Sequence, residues 1–302
     1  MSTDIISIFI NVLTPVFGLV AIGYLLGPRL HLEIRTLSRI AYYIFVPAFV
    51  FHHISSAEFI LDHTGKLLLY IVVVHSVGAF TAYAIARLLK RSKKKAAAFA
   101  LIASFGNVGN FGVPIIIFHL GESAVVTATL YFVAINMTAF IIGVGAASWI
   151  SGNGYSAIVS VLKTPAILIL LPALFFPMSD TEIPLMVSRI MELLSGAMIP
   201  VMLIAMGLSM AGSTEIKMDL DVVLITVLRL AFVPFLALAL ALFFGISGVE
   251  RSTAVLQAGM PAAVLTWLIA VEHDLMPDFV FSALILSTLC SLLTLTVLLA
   301  WV

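Results

Sequence analysis

Long apolar runs, each cut off by a short polar stretch, alternate along the whole chain. A helix needs about 20 apolar residues to cross the hydrocarbon core of a bilayer, and these runs reach that length. With the polar stretches as boundaries they predict ten spans, near 5–27, 36–54, 66–89, 96–119, 123–149, 157–177, 184–211, 219–245, 251–272 and 277–301. The connections, such as His31–Arg35 and Ser151–Tyr155, are short and polar, and none reads as an interdomain linker. The first run follows Asp4 rather than Lys or Arg. It is also too long for the core of a cleavable signal, so it is expected to be the first membrane helix.

Two runs break the pattern from within. Span four carries "FGNVGNFGVPIII" at Phe105–Ile117, with three glycines, two asparagines and a proline. Span nine carries "QAGMPAAV" at Gln257–Val264. Proline removes a backbone donor and clashes with the preceding turn, and glycine costs roughly 1 kcal/mol inside a helix. In a bilayer the freed backbone groups need protein or cavity water as partners. A single kink of this kind eases helix packing. Two kinks at matching places point to unwound segments that form a binding site.

The places match because the halves echo one another. Thr14–Pro15 recurs at Thr164–Pro165 and Leu37–Ile40 at Val187–Ile190, both offset by 150; Pro47 matches Pro200 and Gly106 matches Gly259, both offset by 153. Each half holds five spans, and an odd number turns the second copy upside down. The predicted fold is therefore all-α and integral to the membrane, with ten transmembrane helices in two inverted five-helix repeats, 1–152 and 153–302. Helices 4 and 9 are its broken crossover helices. Inverted repeats are typical of secondary transporters.

Composition agrees. Of the 302 residues, 62% are hydrophobic and 10% charged, against about a quarter charged in soluble domains. The formal net charge is zero, and without basic–aromatic clusters nucleic acid is not an expected partner. Cys290 is the single cysteine, which excludes disulfides and thiolate metal sites within one chain. Nine of the 15 basic residues fall in two connections: Arg29, Arg35 and Arg39 after span one, and Arg87, Lys90, Arg91, Lys93, Lys94 and Lys95 after span three. Basic connections stay cytoplasmic, which puts both termini outside in a plasma (bacterial inner) membrane. Binding of anionic lipid headgroups is a minor alternative role for the 87–95 run.

At each break a new half-helix starts, and its N-terminus offers unpaired N–H groups and partial positive charge. Pro261 suits a first helical position. Two such ends attract an anion. The side chains beside them, Asn107, Asn110 and Gln257, are neutral, and no Asp or Glu lies at either break. Gly109 at the first break and Gly259 at the second are counted with them as candidate substrate-binding residues. Arg229, inside span eight, either draws anions toward this site or snorkels to the cytoplasmic interface. Asn136 in span five lines the cavity or bonds between helices. His75 reads as a packing histidine, Arg189 and Glu192 as a structural pair at helical spacing, and His52–His53 as lacking further metal ligands except His63. Met198, Met202, Met206 and Met210 form a lipid-facing or interhelical stripe that could belong to a dimer seam, not a cofactor box. No cofactor and no metal is expected.

The chain resembles the auxin efflux carrier family, which includes the plant PIN carriers and many bacterial members. The resemblance covers all ten spans. It rests on "LSRIAYYIFVPAFVFHHIS" in span two, "GNVGNFGVP" in span four and "VLRLAFVP" in span eight. It extends through "QAGMPAAVLTWLIAVEHDLMPDFVFSALILSTL" in spans nine and ten. It implies a scaffold of helices 1, 2, 6 and 7, a homodimer through helices 2 and 7, and a transport domain of helices 3–5 and 8–10 that moves like an elevator. It also implies that Asn107, Asn110 and Pro114 at the first break, with Gln257 and Pro261 at the second, bind an organic anion, auxin-like or a dicarboxylate such as malonate or malate. The long hydrophilic loop of plant members is replaced here by "ISGNGYS".

The expected function is secondary transport of a small organic anion by alternating access. The alternative is a sodium- or proton-coupled symporter of the bile-acid-transporter-like fold. An intramembrane enzyme is disfavoured, because the chain carries no GxSxG, no HExxH and no acidic pair at membrane depth. A Walker motif is also missing, so the chain itself does not hydrolyse ATP.

Overall fold

A computed structural model describes residues 5–56, 61–151, 165–179, 181–212, 216–272 and 274–302. The predicted boundary at 152/153, the start of span six and the side chain of His63 lie outside the described residues. The described residues form helices joined by short connections: α1 (Ile6–Leu26), α2 (Ile34–Ser55), α3 (Leu61–Leu88), α4 (Lys93–Ser104), α5 (Val108–Leu120) and α6 (Val125–Ser151). There follow α7 (Pro165–Ser179), α8 (Leu185–Ala211), α9 (Leu220–Phe244), α10 (Gly248–Ala258), α11 (Val264–Glu272) and α12 (Pro277–Trp301). Among the described residues six helices, α1, α2, α3, α8, α9 and α12, are long and apolar enough to cross a membrane. The fourth and ninth predicted spans fall short because each is cut in two, into α4 and α5 and into α10 and α11.

Among the described residues four helices contain a wide π-type turn, and each turn ends two residues before a proline. The turns are Phe9–Leu13 before Pro15, Ala41–Phe45 before Pro47, Val108–Gly112 before Pro114 and Leu228–Phe232 before Pro234. The ring of a proline clashes with the carbonyl four residues back, and the missing N–H leaves that carbonyl without a partner. One residue inserted into the turn relieves both problems and lets the helix continue.

Small residues bring α1 and α8 together. A Cβ on Gly23 would come within 2.9 Å of the Ile204 backbone, and one on Gly207 would stand 2.7 Å from the backbone nitrogen of Tyr24. Hydrocarbon gives apolar side chains no reason to leave it, so close backbone approach and dispersion hold such helices together. A buried apolar cluster runs from these helices through α2, α5 and α6. A second joins α4 to α11 and α12 through Phe99, Phe279 and Phe281.

Much of the basic run has an intramolecular role. Arg91 lies 3.1 Å from Asp221, Lys95 pairs with Asp221 and with Asp219 at 3.4 Å, and Lys94 pairs with Asp274. Asp219 also caps α9 by accepting from the Val222 N–H at 2.8 Å. These contacts tie the start of α4 to the start of α9 and to the α11–α12 connection.

Candidate functional site

Helix α4 stops at Ser104, where the chain turns extended at Phe105. Helix α10 stops at Ala258 and the chain resumes helix at Val264. The two interruptions meet. Gly106 and Ala262 form an antiparallel bridge, the Asn107 N–H donates to the Pro261 carbonyl at 2.7 Å, and the Ala263 N–H donates to the Phe105 carbonyl at 3.1 Å. Each break thus satisfies backbone groups of the other, as an interior without water requires. The Ala262 N–H finds Ser287 Oγ on α12 at 3.1 Å.

Four helix ends converge here, and their charges are sorted. The C-terminal ends of α4 and α10 leave carbonyls unpaired, and Arg229 on α9 takes one from each side. Its Nη1 donates to Ala103 at 2.7 Å and its Nε to Met260 at 2.9 Å. A cation suits a helix C-terminus. Arg229 is fully buried, which overturns the snorkelling alternative: the side chain points into the crossover rather than toward the interface. Gly106 makes room for it, since a Cβ there would stand 3.0 Å from Cζ and closer still to Nη2. Among the described residues Nη2 has no hydrogen-bond partner and no carboxylate pairs with the guanidinium.

The two N-terminal ends remain. Helix α5 opens with a π-type turn whose Phe111 and Gly112 N–H groups both donate to the Asn107 carbonyl at 3.1 Å. The N–H groups of Val108, Gly109 and Asn110 lie ahead of any intrahelical acceptor. In α11 the Thr266 N–H is bonded to Ala263, with Val264 and Leu265 ahead of it. Pro261 is therefore not the first residue of the half-helix, as the sequence suggested. It lies three residues earlier, and its carbonyl serves the bridge.

The other expected site residues divide. Asn107 is buried at this junction, and its Nδ2 donates to Met206 Sδ on α8 at 3.3 Å. Asn110 is half-buried in the same turn. Gln257 is buried, with Nε2 3.4 Å from the Ala128 carbonyl and Oε1 unpartnered against Gly112, where a Cβ would clash. A Cβ on Gly109 would meet the Phe132 ring at 2.6 Å, so this glycine seats α5 on α6. Pro114 follows the π-type turn. Asn136 is not brought into the junction by its amide, which donates to the Phe132 carbonyl of its own helix at 2.6 Å.

Gly259 faces the other way. It borders an apolar cavity of about 590 Å³ between α9, α10 and α12, lined by Pro234, Phe235, Leu293 and Trp301 among others. His75 is buried with Nε2 2.7 Å from the Tyr131 hydroxyl, consistent with a packing role. Arg189 and Glu192 are both exposed, and the ion pairs among the described residues do not include them.

Sequence reasoning missed Met206, Ser287, Gly106 and Gly112 as parts of the site. The signals available were the three glycines that mark the first break, which include Gly106 and Gly112, and the four-residue methionine spacing in α8, whose interhelical alternative fits Met206. Met198 and Met206 are buried inside the chain, so these two do not face lipid or a dimer partner.

Comparison with known proteins adds an independent line. The family model described as "Membrane transport protein" matches residues 8–155 and 153–299. An uncharacterized transporter of Methanothermobacter thermautotrophicus is 26% identical over 286 residues, covering 93% of this chain and 94% of that protein. A Rhizobium meliloti protein provisionally named a malonate transporter is 25% identical over 301 residues, covering 93% and 92%. The uncharacterized transporter YfdV of Escherichia coli is 23% identical over 278 residues, covering 88% of each chain.

Proposed function

The chain belongs to the membrane transport protein family, that of the auxin efflux carriers, and from this premise we propose that it is a secondary transporter of small organic anions. The observation that carries the reading is the sorting of helix ends at the junction. Arg229 occupies carbonyls from both C-terminal sides, and the starts of α5 and α11 present their first-turn N–H groups, those of α5 next to Asn107 and Asn110. That surplus of donors and positive charge suits a carboxylate. Asn107, Asn110 and Gln257 give direction without adding negative charge. Gly109, Pro114 and Pro261 shape the segments around them, while Gly259 faces the apolar space between α9, α10 and α12 and Asn136 bonds within its own helix.

The transport reading includes an architecture. Two inverted five-helix repeats, 1–152 and 153–302, contribute a scaffold of α1, α2, α7 and α8 and a mobile domain of α3–α6 and α9–α12. Support comes from the repeated sequence matches and from the family model, whose two matched segments meet near the proposed boundary. The close α1–α8 packing supports a rigid scaffold. Tyr43, Ile44, Ile190 and Leu193 are exposed apolar residues on α2 and α8 available for a homodimer. The mobile domain carries the site past the scaffold, and both termini lie outside the inner membrane.

The test is reconstitution into liposomes, followed by uptake of labelled malonate, malate and indole-3-acetate with and without sodium or pH gradients. Asn107→Ala and Gln257→Ala are expected to abolish uptake while the protein remains folded. Normal transport by both variants removes the site. No uptake of any of the three anions by the wild type removes the anion reading.

A further inference from the structure

The bond between Asn107 and Met206 joins the crossover to the helix that would form the scaffold. Asn107 Nδ2 is 3.3 Å from Met206 Sδ, and both residues are almost fully buried, at 3% and 2% exposure. The partners are unequal in strength. An amide N–H is a strong donor, whereas a thioether sulfur is a weak acceptor. Met206 is presented by a rigid wall, because α8 is locked on α1 one residue farther along, at Gly207. Beside it the Phe111 ring of the same π-type turn meets Phe17 of α1 edge-on, with centroids 5.0 Å apart. The face of the junction that carries Asn107 is therefore closed by side chains from α1 and α8.

We propose that Met206 is a displaceable stopper: its thioether holds the Asn107 amide while the site is empty, and the carboxylate of the transported anion takes its place. The inference rests on the anion-transport reading of the same junction. A carboxylate oxygen forms a charge-assisted hydrogen bond roughly twice as strong as a neutral one, so the exchange runs toward the anion. Methionine is unbranched and has three rotatable bonds, and it vacates a space at low cost. The empty transporter thereby avoids an unsatisfied buried amide, and the anion meets a competitor weak enough to displace.

Two variants and one spectroscopic signal test this. Met206→Leu keeps the volume and removes the acceptor; Met206→Gln supplies a stronger acceptor on a chain of similar length. With malonate as probe, or malate or indole-3-acetate if one of these is the anion the wild type takes up, the leucine variant is expected to reach half-saturation at about fivefold lower concentration. The glutamine variant is expected to need about fivefold more, from the loss or gain of one hydrogen bond. In protein labelled at the methionine methyl carbons, the Met206 resonance, assigned by its disappearance in Met206→Leu, should shift on adding that anion, and should not shift in Asn107→Ala.

Half-saturation unchanged in both variants, or a Met206 resonance indifferent to a saturating anion, overturns the stopper while leaving transport intact. Wild-type protein that takes up none of the three anions fails the transport reading, and the stopper falls with it.

Discussion

Gly106 and Arg229 share one space at the heart of the crossover: a Cβ on Gly106 would stand 3.0 Å from Cζ of the guanidinium and closer to Nη2. The arginine cannot retreat without releasing Ala103 and Met260, its acceptors among the described residues. Gly106→Ala is therefore expected to destabilise the fold by roughly 1–3 kcal/mol and to suppress uptake. Thermal unfolding in detergent and liposome uptake check this; a variant normal in both shows that the arginine adapts.

Arg229→Lys separates charge from geometry. A lysine keeps the positive charge but lacks the planar fork that reaches two carbonyls at once. The expected loss is about 1.5–3 kcal/mol, the contribution of one hydrogen bond involving a charged group. The melting temperature and the maximal uptake rate should fall more than the affinity for the anion does. A pure affinity loss at unchanged melting temperature would make Arg229 a direct ligand of the cargo.

The α1–α8 seam predicts a loss of different origin. At Gly207 an added methyl meets backbone atoms, with the Tyr24 nitrogen at 2.7 Å, and no side chain can turn aside. Gly207→Ala should separate the helices and cost roughly 1–3 kcal/mol, seen as a lower melting temperature. Gly18→Ala on α1, where nothing lies within 4 Å of the added carbon, is the matched control and should be close to neutral.

At the basic end, Asp221 is buried and receives both Arg91 and Lys95. Asp221→Asn keeps the shape and removes the charge, so Arg91 loses its anionic partner and Lys95 keeps only Asp219. A destabilisation of about 2 kcal/mol is expected. Because Arg91 remains partly exposed, the difference from wild type should shrink in high salt. An effect of equal size at all salt concentrations would point to packing instead.

Much of this was legible beforehand. Helix limits follow the polar punctuation closely: α8 at Leu185–Ala211 and α12 at Pro277–Trp301 lie within a residue of their predicted spans. Both interruptions fall inside the stretches that glycine and proline marked. What was not legible shares a cause. Pro261 has the local preference of a helix start, but its carbonyl is claimed by Asn107 from another helix. Arg229 has a snorkelling side chain's length, but its direction depends on which neighbours present bare carbonyls.

By itself the sequence determined the membrane setting, the helical class and the two points of interruption, because hydropathy and backbone propensity act over a few adjacent residues. Only the tertiary structure decided that the interruptions bridge one another, that Arg229 spans their carbonyls and that Met206 reaches Asn107. Those contacts join residues 31, 99, 126 and more positions apart, and no local pattern encodes which distant group will complete an unpaired N–H or carbonyl.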